Sequence, residues 1–321
     1  MKVIVLGGTR FIGRAAVEEL VAAGHELMVV HRGQLEPGDM PPVAHLHCER
    51  AELPSHGHEL AAFGADAVID CLALTRTDAE GAVSAIPDVK RWIVISSADV
   101  YRAFGAVLLD QETDPVPITE ASPLRGERYP YRGRLVGRED YDKLDVEDAY
   151  LPRGALVLRL PMVYGEHDYQ RREEFILRRL RAGRKQIPFG EGSWLTCRGY
   201  VRDVARAIHL AVDQPDVSGV LNVCEDRTYS VRLWARMILD AAGSDAELVR
   251  VPDDALPEDL QETGALLQHV LMSANKARAT LGWTTTDPWA ALQATVSWHL
   301  AHPPANPSDN FAADDRALAS V

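Results

Sequence analysis

Gly7, Gly8 and Gly13, in the opening run MKVIVLGGTRFIG, have the spacing of a loop that cradles a diphosphate. Gly7 and Gly8 let the backbone turn sharply and approach a pyrophosphate. Gly13 lets a following helix pack close to the strand before it, and the free N–H groups at that helix start face the phosphates. Thr9, Arg10, Phe11 and Ile12 complete the loop and are expected against the same cofactor. The usual three-glycine pattern reads here as Gly7, Arg10, Gly13, so a guanidinium replaces the middle glycine and reaches the phosphate rim. The next apolar run ends in His31-Arg32-Gly33. A carboxylate there would accept hydrogen bonds from the ribose hydroxyl of NAD, whereas an arginine favours the 2′-phosphate of NADP. Arg10 and Arg32 together point to NADP(H) over NAD(H); the competing reading is two solvated surface arginines.

These residues need a strand, a turn and a helix to hold them. Val3-Ile4-Val5-Leu6 is a short continuous apolar run, the signature of a strand buried on both faces. Phe11, Ile12, Ala15, Ala16 and Leu20 recur at helical spacing, and Gly24 supplies a stop. A second strand, Leu27-Met28-Val29-Val30, follows. A short third strand is predicted over 45–49, with Glu49 at its end, and another over 65–72, with Leu72 at its end. Both ends are expected beside the dinucleotide, because ligands bind at the carboxyl ends of strands in such sheets. A helix is predicted over 78–85 and a further strand from Arg91 to the serine pair Ser96-Ser97.

Composition bounds the possibilities. The chain has 321 residues, enough for a large core and two structural parts. Its formal net charge of −13 argues against a general nucleic-acid or membrane-surface role. No stretch is long and apolar enough for a membrane span, and no signal peptide is evident, so a cytoplasmic protein is expected. The four cysteines, Cys48, Cys71, Cys197 and Cys224, have no C-x-x-C spacing and read as free thiols. His45/His47 and His56/His58 are H-x-H pairs without a third ligand at recognisable spacing, so no metal site is expected.

Several motifs in order carry a resemblance. Ser96-Ser97-Ala98-Asp99-Val100-Tyr101 follows the fifth apolar run. Arg159-Leu160-Pro161-Met162-Val163-Tyr164-Gly165, Gly190-Glu191-Gly192-Ser193, Val201-Arg202-Asp203-Val204-Ala205 and Leu281-Gly282-Trp283 follow downstream. With the glycine loop, this series resembles the extended short-chain dehydrogenase/reductase family, also called the NAD-dependent epimerase/dehydratase family. GGTRFIG with HRG is most similar to an atypical branch that includes chloroplast RNA-associated proteins. The resemblance implies an α/β fold, a Rossmann-type doubly wound parallel sheet with a smaller C-terminal substrate domain. It divides the chain into residues 1–162 plus 199–225 for the dinucleotide and 163–198 plus 226–302 for the substrate. Residues 303–321 are left as a tail or lid. It places Pro161 and Val163 against the cofactor, Tyr101 against the substrate, and the active-site serine at Ser97.

The family's Y-x-x-x-K motif pairs a proton-transferring tyrosine with a lysine that lowers its pKa and holds the nicotinamide ribose. Aligning Tyr131 as that tyrosine puts Leu135 where the lysine belongs, and Tyr129 would put Gly133 there. The catalytic pair is therefore read as Ser97 and Tyr131 without a lysine. Glu120, Glu127 and Glu139 are alternative acids that nothing singles out. Residues 171–185 carry seven cations on an amphipathic helix, Arg171, Arg172, Arg178, Arg179, Arg181, Arg184 and Lys185. In the family this region borders a nucleotide-sugar, so Arg171 and Arg178 are substrate candidates, as is Arg198 after the G-x-G turn; the competing reading is a solvated basic face. The function expected is an NAD(P)-dependent oxidoreductase, epimerase or dehydratase acting on a hydroxyl or carbonyl of a small polar, sugar-like substrate. A homodimer is the assembly that the resemblance suggests. The alternatives are a non-redox dinucleotide sensor that touches RNA and an enzyme using its cofactor in a redox-neutral step.

Overall fold

A computed structural model describes residues 1–307 and 309–321. The strands are β1 (Lys2–Leu6), β2 (Glu26–His31), β3 (Ala44–His47), β4 (Ala67–Asp70), β5 (Arg91–Ser97), β6 (Leu156–Leu160), β7 (Met162–Tyr164), β8 (Gln186–Phe189), β9 (Arg198–Tyr200), β10 (Gly219–Asn222) and β11 (Glu247–Arg250). The helices are α1 (Phe11–Ala22), α2 (Gly57–Phe63), α3 (Arg76–Ala85), α4 (Arg102–Leu108), α5 (Lys143–Tyr150), α6 (Glu174–Arg181), α7 (Val201–Asp213), α8 (Val231–Ala241), α9 (Asn275–Leu281), α10 (Pro288–Ala301) and α11 (Ala312–Leu318).

Seven strands form one parallel sheet in the order β10-β6-β5-β4-β1-β2-β3. Parallel strands need crossovers, and the helices supplying them cover both faces, so the central strands are apolar throughout. Val3, Val5 and Val29 pack on one side against Val17 and Leu20 of α1, with α7 beside that helix. Ile4, Leu6, Val68, Trp92 and Val94 pack on the other, near α3 and α5. Strand order reverses where β1 meets β4, which opens a crevice at their carboxyl ends. The doubly wound α/β fold expected from the sequence is present. No helix among the described residues is long and apolar enough to cross a membrane.

The C-terminal part adds two small parallel pairs, β7–β9 and β8–β11, packed with α6, α8 and α10. The basic helix is shorter than predicted, spanning Glu174–Arg181. The chain end is built in: α11 sends Asp314 to Arg179, with Nε–Oδ2 at 2.7 Å, and both side chains are buried.

Two buried carboxylates brace the floor of the crevice. Asp70 ends β4 and accepts hydrogen bonds from Arg50, from Tyr150 at 2.5 Å, and from the Leu72 and Ala73 N–H groups at 3.0 Å. Burial opposes its ionisation, but Arg50 and these donors hold its pKa below the usual carboxylate range. Glu147 on α5 receives Arg159 from β6 at 2.6 Å and Ser96 from β5 at 2.6 Å. Helix α5 is thereby tied to the two strands whose ends face the crevice.

Candidate active site

The crevice is a cleft of about 1590 Å³ that begins at the β1–α1 turn, passes the ends of β4 and β5, and reaches the C-terminal part. At the turn, Gly7 has φ +90°, and a Cβ there would meet Leu72 Cγ at 2.3 Å. A Cβ on Gly13 would lie 1.9 Å from the Gly7 carbonyl oxygen, so α1 approaches the turn as closely as a bare Cα permits. Thr9, Arg10, Phe11 and Ile12 line the cleft with Gly7 and Gly13, as do Arg32, Leu72, Pro161 and Val163. Gly8 does not line it. Its Cα is pressed against Val29 and Val17, and a Cβ would come within 2.7 Å of Val29, so its missing side chain serves the core. The cradle fits a dinucleotide diphosphate: the turn lines the cleft and sits at the N-terminus of α1.

Besides Gly8, two expectations are corrected. Glu49 lies outside the cleft because β3 ends at His47; Glu49 instead caps the 3₁₀ turn Arg50–His56, its N–H donating to Glu52 at 3.3 Å. Tyr101 is not a substrate contact. Its ring is fully buried, its hydroxyl donates to Asn222 Oδ1 at 2.7 Å, and the Arg159 guanidinium lies 4.8 Å from its ring centre.

Ser97 and Tyr131 both face the cleft, beside three residues that the sequence reading passed over. Asp99 sits one turn beyond Ser97 and is 3 % exposed. Its Oδ2 accepts from Tyr141 at 2.7 Å and Tyr131 at 3.3 Å, while its Oδ1 has no hydrogen-bond partner. Burial pushes the Asp99 pKa up, against the pull of Tyr141, Arg125 and Lys143. Burial and the adjacent Asp99 charge hold both phenols above their ordinary pKa, with the Ser97 hydroxyl opposing this at Tyr141. Neither tyrosine is poised as a phenolate; both are proton donors to a carboxylate.

Lys143 also lines the cleft. It opens α5, is buried, and donates to the carbonyls of Ala73 at 2.6 Å and Ile95 at 2.8 Å. Burial pulls its pKa down, with Asp70 and Asp99 opposing. An ammonium has three donors, and these bonds use two, which leaves the third for the cleft. The sequence carried the signal as Tyr141-x-Lys143, a spacing of two where the motif has four. Four residues on from Tyr131 stands Leu135, which is exposed.

At the far end of the cleft, the seven cations of the basic segment are already paired. Arg171 and Arg181 meet Glu174, and Arg172 meets Asp168. Arg178 meets Asp259, Arg179 meets Asp259 and Asp314, Arg184 meets Asp315 and Lys185 meets Asp245. Arg171 and Arg178 still border the cleft. Arg198 differs: it is buried in the cleft wall on β9, lies 4.5 Å from the Trp234 ring centre, and donates to the Thr196 carbonyl at 3.1 Å. No carboxylate lies within 4.0 Å of it among the described residues. Burial lowers its pKa, and the charges of Glu173 and Glu225 act against that from farther off. Glu173 and Glu225 are buried, and burial pushes each pKa up to about 7.

Fold and site together define a dinucleotide-binding protein of the doubly wound α/β class, with a buried carboxylate, two phenols, a serine and a lysine at the ends of the central strands. The chain belongs to the NAD dependent epimerase/dehydratase family, whose sequence model matches residues 3–224. A chloroplast stem-loop binding protein of 41 kDa (b) from Arabidopsis thaliana is 25% identical over 300 residues, spanning 88% of this chain and 74% of that protein. Among solved structures, a UDP-glucose 4-epimerase matches with a TM-score of 0.75 at 16% identity, over 96% of this chain and 100% of that one. The UDP-glucose 4-epimerase of Bifidobacterium longum, in complex with NAD+ and UDP, matches at 0.72 and 19% over 94% and 99%. The dTDP-glucose 4,6-dehydratase of Bacillus anthracis, in complex with NAD, matches at 0.71 and 16% over 94% and 97%. At these identities the structural likeness is one of fold.

Proposed function

We propose that the protein is an NAD(P)-dependent enzyme of the epimerase/dehydratase kind, acting at a hydroxyl or carbonyl carbon of a nucleoside-diphosphate sugar. The carrying observation is the single cleft that joins the Gly7–Gly13 cradle, the Ser97–Asp99–Tyr141–Lys143 group and the unpaired Arg198. In this reading residues 1–162 and 199–225 hold the dinucleotide, and 163–198 and 226–302 hold the substrate. The bound nicotinamide supplies hydride acceptance and return.

The chain's own groups handle the proton. The Ser97 oxygen accepts the Asp99 N–H at 3.2 Å and its hydroxyl lies against Tyr141, so a substrate oxygen entering there would take the Ser97 hydrogen in place of the phenol. Tyr141 passes its proton to Asp99 Oδ2 as it takes one from the substrate hydroxyl, so the carboxylate is the base and the phenol the relay. The third N–H of Lys143 meets a ribose hydroxyl, the role that the family assigns to its lysine. Arg198, desolvated and without a carboxylate, takes the substrate diphosphate. Arg10 and Arg32, exposed and free of carboxylate partners among the described residues, support NADP(H) over NAD(H).

The test is to incubate the full chain with NADP+ or NAD+ and a panel of UDP- and dTDP-sugars, following products by NMR. An epimerised or dehydrated sugar is expected, with a raised KM in Arg198→Ala. No binding of any nucleotide sugar in the presence of either dinucleotide overturns the reading. An RNA-binding role, which the name of the chloroplast relative brings to mind, meets a chain of net charge −13 whose basic helix is neutralised internally. A gel shift that weakens with salt and is abolished by charge reversal in α6 would favour RNA instead.

A further inference from the structure

At the carboxyl ends of β2 and β3, beside the cleft, four side chains from two strands and the loop between them converge. His31 ends β2 and pairs in register with His47 on the edge strand β3. His45 lies two residues before His47, so the pleat puts all three imidazoles on one face of the sheet. The β2–β3 loop then brings Glu36 over them. One ligand atom from each of His31, Glu36, His45 and His47 lies within 4.8 Å of every other. His31 Nε2 is 2.8 Å from His45 Nδ1 and 3.5 Å from Glu36 Oε1, and His47 Nε2 contacts the same carboxylate oxygen.

We infer that His31, Glu36, His45 and His47 form a structural site for a divalent transition metal of the zinc class. Three imidazoles and one carboxylate are a ligand set suited to that ion. A tetrahedron with bonds of about 2.0–2.1 Å has edges of roughly 3.4 Å, which the His31–His45 and His31–Glu36 separations bracket. Glu36 and His47 are exposed, so the ion has a route in from solvent, while buried His31 fixes the back of the site. With four protein ligands the coordination sphere is closed, which is the pattern of a structural site rather than a hydrolytic one.

Filling the site asks one change of the chain. His31 Nδ1 now accepts the Gly33 N–H at 3.2 Å. An ion on Nε2 moves the ring proton to Nδ1, so that N–H must find another acceptor and the Gly33 turn must shift. Arg32 sits between the two, and the loop beyond is held by Asp39, which receives Arg14 in two bonds of 3.0 and 2.8 Å. The ion would thus be a second clamp on the loop that carries Arg32. The H-x-H pair gave no hint of this, because its third and fourth ligands come from a neighbouring strand and a loop.

The test uses the full chain stripped with a chelator and then titrated with Zn2+ against a chromophoric competitor, and with Co2+ by visible absorption. One ion per chain is expected, with the intense Co2+ bands of a four-coordinate site. The doubly substituted His45→Ala/His47→Ala chain should lose both signals, Glu36→Gln should weaken binding, and His25→Ala, in the separate His25–His209–Asp213 group, should leave them intact. His45 and His47 are exposed edge-strand residues, and an unchanged circular-dichroism spectrum and a cooperative thermal melt confirm that the variants fold. Failure of the wild-type chain to bind either ion, or uptake that survives loss of His45 and His47, overturns the proposal.

Discussion

Tyr141 donates to Asp99 at 2.7 Å, and the carboxylate that receives it is buried with its other oxygen unpartnered. The relationship inverts the family's usual pairing, in which a lysine draws the phenol toward ionisation. In the proposed mechanism the Asp99 carboxylate holds the phenol neutral and is itself the base. Asp99→Asn should therefore lower turnover by about 10²–10⁴-fold while leaving dinucleotide affinity intact. Because the Asp99 pKa is raised, the acid limb of the wild-type kcat/KM profile should lie above the ordinary carboxylate range, with activity falling as pH drops through it. That limb should vanish in the variant. Tyr141→Phe should cost more than Tyr131→Phe, in keeping with 2.7 against 3.3 Å.

Gly13 faces the Gly7 carbonyl with no space for a methyl group. Gly13→Ala should abolish dinucleotide binding and destabilise the fold by about 1–3 kcal/mol or more, since neither the turn nor α1 can retreat. Gly38→Ala, where a Cβ meets nothing within 4 Å, is the matched control. Calorimetry with each dinucleotide and thermal melts of both variants would decide it. Wild-type affinity in Gly13→Ala would remove the cradle from the cofactor's path.

Arg10 and Arg32 stand at the cleft without carboxylates of their own among the described residues. A charge-assisted contact to a 2′-phosphate is worth about 1.5–3 kcal/mol. Arg32→Ala should therefore weaken NADP(H) roughly 10- to 100-fold and leave NAD(H) nearly unchanged. Isothermal titration of wild type and variant with both cofactors tests this. Equal wild-type affinities would strip both arginines of that role.

Glu173 and Glu225 carry pKa values of about 7 in the folded chain. Between the ordinary glutamate range and about pH 7, the unfolded chain releases protons that the folded chain keeps. Stability should therefore fall as pH rises across that window and level off above it. Each group contributes at most on the order of 3 kcal/mol. Melts of Glu225→Gln should show a Tm gain over wild type near pH 8 that disappears near pH 4. A gain independent of pH would refute the assignment.

The sheet was readable in the chain because strands buried on both faces must be apolar throughout, as Val3–Leu6 shows, and because helix periodicity marked α1. The glycine cradle was readable because its sterics are local. What escaped was tertiary. Asp99 stood in plain view beside Ser97, but only packing shows that it is buried without a cation bound to it. Lys143 does not stand out in the sequence because it lies two residues after Tyr141, where the motif asks for four. Tyr101 fitted the family pattern yet turns into the core, and Glu49 serves a cap rather than a cofactor. The basic segment looked available in sequence, because its carboxylates at Asp245, Asp259, Asp314 and Asp315 come from far along the chain.

The Arg179–Asp314 pair gives the closing helix a keystone's duty. A chain cut before Ala312 would keep Ser97, Asp99, Tyr141 and Lys143, yet strand a wholly interior guanidinium with Asp259 as its only remaining anion among the described residues. Breaking one side of a buried ion pair costs about 3–5 kcal/mol. Ala313 also borders the cleft, so the same cut would breach its wall. Such a truncate would look like a dead catalyst when its real fault is a collapsing scaffold.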